Sequence, residues 1–313
     1  LATIAWSQQQ LSEFERAELF QLSTCVGGFG LEFAQRMCAD ESHDAWAVVE
    51  ALSSLVDGSL VQVEPGDPPR YRLLESTRAY ALEGLAQAGQ AGAAMRRHAH
   101  ALRDYFIETE EQRFGENGSL TMADYMRRLS PELDNLRAAL DWAMGLGDDL
   151  ATALALCGAS AMMLRWSGLS EEGLQRVLQV RRRLEQVNSP ANQASLWLAV
   201  SHLGDIGRLL PLPELLDTAQ RAVAIYRKSG HRRRLYQSLY NEGWLLSYSD
   251  QSAAVAGVLE EMRQLERVPD PAWLRALRQN LVGGVALREE RFDEAAAIFF
   301  EQDRLLAAVP GEE

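Results

Sequence analysis

Apolar residues recur at helical spacing along most of the chain, and near the start that rhythm gives way once to alternation. Helices are predicted over residues 11–24, 31–39 and 44–57. Residues 59–63 alternate and are rich in β-formers, Pro65-Gly66-Asp67-Pro68-Pro69 is a turn cluster, and residues 71–74 return as a second strand. Glu75 opens a further helix, with Tyr80, Leu82 and Leu85 at helical spacing. Three helices followed by a β-hairpin is the order of a winged helix.

Beyond Gly92 the pattern is helical almost throughout. Residues 93–114 carry Met95, Ala99, Leu102, Tyr105 and Phe106 on one stripe. Residues 122–144 repeat Leu129, Leu133, Leu136, Leu140 and Met144, with Pro131 marking a break and Ser130 the expected cap. After Gly147 helices come in pairs: 151–166 with 170–187, 191–210 with 212–229, 232–248 with 251–268, and 271–289 with 292–309. The gaps hold Gly, Pro, Asn and Ser, which stop and restart helices. Repeated helix pairs with short turns read as an α-solenoid. A tetratricopeptide unit asks for a small residue in its first helix, another twelve later, and a large apolar residue four beyond. Gly283, Ala295 and Phe299 match well, and Gly243, Val255 and Leu259 in part. Ala161, Gly173 and Val177 fit the first pair, whereas Gly204 lies too far upstream of Ala222 and Tyr226. The predicted fold is mainly α: a winged helix with a small β-hairpin (1–90), linking helices (91–149) and an α-solenoid of tetratricopeptide-like pairs (150–313).

Charge alters what the winged helix is expected to do. The chain has a net charge of −13, and its first 75 residues hold four arginines against twelve carboxylates, a net −8. DNA affinity rests largely on phosphate neutralisation. The third helix, in the recognition position, contains no Arg or Lys. A protein-facing joint is therefore expected, and direct DNA binding is not. No run of eighteen apolar residues is present, so no membrane span is expected. Cys25, Cys38 and Cys157 are scattered in apolar helical settings, as reduced thiols of a cytoplasmic protein would be. The chain starts without Met or a signal-peptide pattern, and reads as a portion of a longer protein.

Candidate chemistry is sparse. No Ser or Cys sits in a nucleophile elbow, and neither a catalytic nor a metal constellation is apparent. His98 and His100, two apart on a helix, read as surface residues. Asp148-Asp149 reads as a loop end, and Glu171-Glu172 as acids at a helix N-terminus. The runs 181–183 and 232–234, all arginine, read as helix-end residues rather than a nucleic-acid patch. The sharper expectation is a groove on the inner face of the repeats. Repeat register places Met162, Arg165, Trp166, Ser201, Asp205, Arg208, Gln237, Tyr240, Trp244, Ser247, Tyr248, Asn280, Leu287 and Arg288 there. Rings offer area and guanidinium grips carboxylate, so the groove suits a peptide, a protein or a small anionic inducer. Trp244 and Tyr248 could equally pack between neighbouring helices.

Several segments together resemble one family. They are LSEFERAELF (11–20), Gly27-Gly28-Phe29, LVDGSLV (55–61), YRLLESTRAYA (71–81), RHA (97–99) and DNLRAALDW (134–142). This set is similar to the region after the nucleotide-binding domain in STAND-type signalling ATPases, the large bacterial transcriptional regulators of the LuxR-like and antibiotic-regulator groups. The resemblance covers residues 1–142, and beyond them it is only to tetratricopeptide repeats in general. It implies a winged helix acting as a lever on an upstream nucleotide-binding domain, and repeats that sense an inducer or partner. No G-x-x-x-x-G-K-[ST] is present, so no cofactor is expected in this chain, and ATP or ADP with Mg is expected in the parent protein. Two alternatives stay open: a DNA-binding winged helix with a repeat arm, and a free-standing tetratricopeptide adaptor.

Overall fold

The computed structural model describes residues 11–183, 190–204, 209–249 and 251–311. The chain forms two compact units, Leu1–Phe106 with Ser130–Leu156, and Ile107–Leu129 with Cys157–Glu313. The segment 91–149, read from sequence as a linker, is divided between them.

In the first unit, α1 (Glu13–Leu22) starts at a reciprocal cap. Ser12 Oγ accepts the Glu15 amide at 3.2 Å, and Glu15 Oε2 accepts the Ser12 amide at 2.7 Å. Next come β1 (Phe29–Gly30), α2 (Leu31–Cys38) and α3 (Ala45–Asp57). Asp44 caps α3 by accepting the Trp46 and Ala47 amides. The wing is β2 (Val61–Glu64) and β3 (Arg70–Leu73), and α4 (Glu75–Gln87) follows. The predicted hairpin is thus present, but the sheet has a third strand. β1 pairs antiparallel with β3 (Phe29↔Tyr71, Gly30↔Arg70), giving the order β1-β3-β2. Two residues are too few to show a period, so the strand at Phe29 does not stand out in the sequence. Leu19, Leu22, Phe29, Phe33, Met37, Leu52 and Leu55 fill the core.

The unit also takes in most of α5 (Ala91–Phe114), all of α7 (Leu133–Met144) and the start of α8 (Leu150–Trp166). Pro131 breaks the chain as expected, through a 3-10 turn at Ser130–Glu132. Ser130 does not cap, since Glu132 holds that position and no side chain bonds the first amides of α7. His98 is a correction: it is buried, 3.3 Å from Asn135 Oδ1, and burial pushes its pKa down to about 4, holding it neutral. His100 is half-exposed and lies 2.8 Å from Asp149 Oδ2. Asp149 accepts the Thr152 amide, so it caps α8 as well as ending a loop.

Asn135 is the polar hub of this unit. Its Oδ1 accepts the Val26 amide at 2.8 Å, and its Nδ2 donates to the Gly28 carbonyl at 2.9 Å and to Glu132 Oε2 at 2.6 Å. Buried Glu132 in turn accepts from Arg70 at 2.6 Å. Three segments of the family-like set, at Gly28, His98 and Asn135, therefore meet in one network.

The second unit is built of helix pairs. After α6 (Met122–Leu129) and the end of α8 come α9 (Ser170–Arg181), α10 (Pro190–Leu203), α11 (Leu212–Ser229) and α12 (Arg232–Ser247). Then follow α13 (Val255–Leu265), α14 (Ala272–Arg288) and α15 (Phe292–Ala307). Glu171 and Glu172 lie in the first turn of α9, as expected. Pro213 in the first turn and Gly230 at φ 77° delimit α11. From α9 onward consecutive helices pack together, and α10 packs on α12 and α12 on α14, in the manner of stacked helical hairpins. Glycines set these approaches. A methyl group on Gly283 would lie 2.8 Å from the Phe299 ring, and one on Gly243 2.4 Å from Leu281. The side chain facing Gly243 from α13 is Val258, rather than Val255 or Leu259. Gly204 also serves, because a methyl there would lie 2.1 Å from Leu215.

The 232–234 arginines are structural ties within this unit. Arg232 makes two bonds to buried Asp270, at 2.7 and 2.9 Å. Arg233 donates to the carbonyls of Gly115 and Gly118, and Arg234 pairs with Glu110. They are spoken for inside the fold, not merely placed at a helix end.

Candidate functional site

Polar groups and rings converge on a cavity of about 290 Å³ in the second unit. Helix α5 contributes Arg113 and Phe114 from its last turn, and α8 contributes Met162, Arg165 and Trp166. His202, Gln237, Tyr240, Asn241, Trp273, Asn280 and Gln302 complete most of the wall. Tyr240 lies one turn from Gln237 on α12, so helical spacing aims both at the same space. The Tyr240 hydroxyl donates to Asn280 Oδ1 at 2.8 Å, and Asn280 Nδ2 donates to Gln302 Oε1 at 3.3 Å, which fixes the amide. Arg113 lies over the rings of Trp273 and Phe114, at 4.9 and 5.5 Å, and donates to the Leu120 carbonyl. Arg165 is exposed and donates to the His202 carbonyl. Burial, helped by the Arg165 charge, pushes the His202 pKa down to about 3, so its ring is neutral at pH 7. Gln237 is 4% exposed, and its Oε1 has no partner among the described residues. Among the described residues, no carboxylate lines the cavity.

A wider groove of about 790 Å³ shares Arg165, Tyr240, Asn241 and Asn280, and adds Trp244 and Tyr248. The Trp244 and Tyr248 rings stack at 6.1 Å, and Arg288 lies 3.7 Å over Tyr248. Trp244 has two sets of neighbours. It lines the groove, and it also packs on α14, where a methyl on Gly284 would lie 2.3 Å from its ring. Gly284→Val should therefore cost about 1–3 kcal/mol in a urea melt and shift Trp244 emission. A neutral variant with unchanged emission would mean that the ring does not rest there.

The structure thus brings Met162, Arg165, Trp166, Gln237, Tyr240 and Asn280 to one cavity, and Trp244 and Tyr248 to the adjoining groove. Arg288 reaches the groove only through Tyr248. Ser201 lines the groove and accepts from Asn241. Ser247 does not: it is buried and bonds the Trp244 carbonyl of its own helix. Leu287 is half-exposed and lines neither space. Asp205 and Arg208 lie outside the described residues. Sequence reading missed Arg113, Phe114, His202, Trp273 and Gln302. Arg113 and Phe114 sit in the supposed linker, where repeat register has nothing to say.

In the winged-helix unit, the outward face of α3 carries Trp46, Glu50, Ser53 and Asp57. Trp46 is 67% exposed and its indole N–H donates to Glu50. The wing arginines are engaged, Arg70 with Glu132 and Arg72 with Glu64. Arg36 pairs with Glu32, and Arg78 donates to the Cys25 carbonyl.

Residues 11–86 match the winged helix-turn-helix domain family. Over 290 residues, 87% of this chain, the sequence is 32% identical to proteins of Mycobacterium tuberculosis and Mycobacterium bovis that carry the provisional name HTH-type transcriptional regulator. The chain spans 30% of the length of those relatives. A 104-residue stretch, 33% of the chain, is 40% identical to an uncharacterized Mycobacterium tuberculosis protein, of which it covers 26%. Among solved structures, a STAND protein with a tetratricopeptide repeat sensor from Pyrococcus horikoshii aligns at a TM-score of 0.42 and 11% identity, over 96% of this chain and 51% of that one. No helix among the described residues is long and apolar enough to cross a membrane.

Proposed function

We propose that this chain is the winged-helix and sensor portion of a transcriptional regulator controlled by nucleotide. The winged helix serves as a protein-facing lever to an upstream nucleotide-binding domain, and the repeats bind an inducer or partner. The chain itself performs no chemistry, and ATP or ADP with Mg belongs to the parent. The observation that carries the lever reading is the outer surface of α3, which offers Trp46, Glu50 and Asp57 and no cation. Phosphate neutralisation needs unengaged Lys or Arg, and both wing arginines are held by carboxylates. The polar-lined cavity in the repeats supports the sensing role. Relatives named as transcriptional regulators, far longer than this chain, support a regulatory parent.

A mobility-shift assay at 50 mM salt tests the lever reading against a DNA-binding winged helix. The expected result is no shift of a random duplex at up to about 100 μM chain, weaker than the usual range of non-specific binding. A shift with steep salt dependence would overturn it. The parent gene offers an independent check: a phosphate-binding loop encoded upstream of Leu1 is expected.

A further inference from the structure

We propose that a cavity beside Glu18 in the winged-helix unit binds a guanidinium group, with the Glu18 carboxylate as its two-point partner. This goes beyond the lever and sensor roles and depends on neither. The cavity, of about 200 Å³, is walled by the first two turns of α1 (Glu13, Phe14, Glu18), by Asp40 and His43 after α2, and by Arg97 of α5. That volume is below the usual range for whole ligands, so the guest is one functional group on a short stem. Glu18 is 1% exposed, yet neither of its side-chain oxygens has a hydrogen-bond partner among the described residues. Two buried acceptors left open are costly, and a guest that donates to both relieves the cost. Burial, with the nearby Glu15 charge, pushes the Glu18 pKa up to about 8, as befits a carboxyl without a partner cation. By contrast, Glu132 of the same unit is equally buried and holds Arg70 at 2.6 Å.

Charge and shape select the guest. Among the described residues, Glu13, Glu18 and Asp40 line the cavity against Arg97 alone. The undescribed residues of this unit, 1–10, carry no charged side chain. Helices α3 and α4 also pack on α1, but neither presents a charged group to the cavity. Asp40 is already engaged, since it accepts the Ser42 and His43 amides at 2.8 and 2.9 Å. Arg97 is exposed, at the rim, and makes no hydrogen bond to Glu18. Glu18 is thus the open acceptor, and its two oxygens match the parallel N–H donors of a guanidinium better than the single head of an ammonium. The Phe14 and His43 rings stack at 3.8 Å with 9° between their planes, a flat wall along which a planar cation packs. A metal ion does not fit, because no three His, Cys, Asp or Glu among the described residues are placed to hold one. On binding, the Glu18 carboxyl O–H breaks, its proton leaves to solvent, and two N–H···O bonds form in its place. The guanidinium itself stays charged throughout.

The test is calorimetric titration of the intact chain with N-propylguanidinium, propylammonium and the neutral N-propylurea at pH 8. Propylguanidinium should bind with a Kd of about 1 mM, at least about tenfold more tightly than either rival. At pH 7, titrations in buffers of different ionisation enthalpy should report about one proton released per guest. Affinity should rise about tenfold from pH 6 to pH 7, because Glu18 must lose its proton before it can pair. Glu18→Gln should abolish the guanidinium preference and the proton release. That variant should melt no lower than wild type at pH 7, since Glu18 must take up a proton to fold there and glutamine need not. A protonated His43 would also repel the guest, so the pH dependence assigned to Glu18 is the part that Glu18→Gln removes. Arg97→Gln, as a second variant, should tighten binding several-fold by removing the rival cation at the rim. Propylurea binding as tightly as propylguanidinium, or no binding of propylguanidinium at about 10 mM, overturns the proposal. So does a Glu18 carboxyl found by NMR to be ionised at pH 6 in the free chain, because a partner cation would then already be in place. Two further probes give the source of the group. Tighter binding of N-acetylarginine amide than of free arginine supports the site as a receptor for a protein's arginine side chain, and the reverse order supports a free guanidinium metabolite.

Discussion

Replacing Asp270 by alanine is expected to lower the unfolding free energy by about 3–5 kcal/mol, the usual consequence of orphaning one member of a buried ion pair. The Asp270 side chain is 1% exposed and that of Arg232 9%. Two bonds join them, and Asp270 also accepts the Arg267 amide at 2.6 Å. Without the carboxylate, the guanidinium keeps, among the described residues, the Leu265 carbonyl and a 3.4 Å contact with Glu116. A urea melt followed by circular dichroism measures the loss, and a change under about 1 kcal/mol would place the pair with ordinary surface bridges. The pH dependence has a definite sign. Burial works against ionisation of Asp270, but the bonds from Arg232 and the Arg267 amide outweigh it, and its pKa falls below the ordinary value. The unfolded chain therefore binds more protons, so the stabilisation is complete above about pH 4 and disappears as pH falls through the folded value. Wild type and Asp270→Ala should differ at pH 7 and converge in acid.

Asn135→Leu is expected to cost the winged-helix unit at least about 3 kcal/mol, since each buried group left unpaired costs about 1–3 kcal/mol. The lost amide leaves the Val26 N–H and the Gly28 carbonyl without their partner and takes one bond from buried Glu132. Leucine has similar bulk, so the loss would report hydrogen bonds rather than a cavity. Amide exchange offers a local readout, because the Val26 N–H should lose protection before the core of α3 does. Protection retained at Val26 would show that water or another group replaces Asn135. The consequence for function is positional. Asn135 and Arg70 tie the turn before β1, and β3 of the wing, to the segment around Glu132, so the outward face of α3 is carried on a braced frame.

Local chemistry made most of the elements readable. Ser12 with Glu15, Asp44, and Pro213 with Gly230 mark helix ends by satisfying or sparing terminal backbone groups, and their effect reaches only a few residues. The turn formers at 65–69 separate the two wing strands for the same reason. Repeat register worked where one glycine and one ring define a contact, as at Gly283 and Phe299, and failed by one helical step at Gly243. The groove residues on α8, α12 and α14 were legible because helical spacing alone places them on a common face.

What spacing could not supply was partnership between distant segments. Gly115 and Arg233 are 118 residues apart, and nothing near either shows that a carbonyl and a guanidinium will meet. The same distance hid the third strand, the burial of His98, and the entry of Arg113 and Phe114 into the repeat cavity. Sequence by itself determined the helices, the wing, the excess of acid and the shortage of cations on the winged helix, since these depend on composition and near neighbours. Only the tertiary structure decided which arginines are ties and which line a cavity, because a charge takes its role from the groups that packing brings beside it.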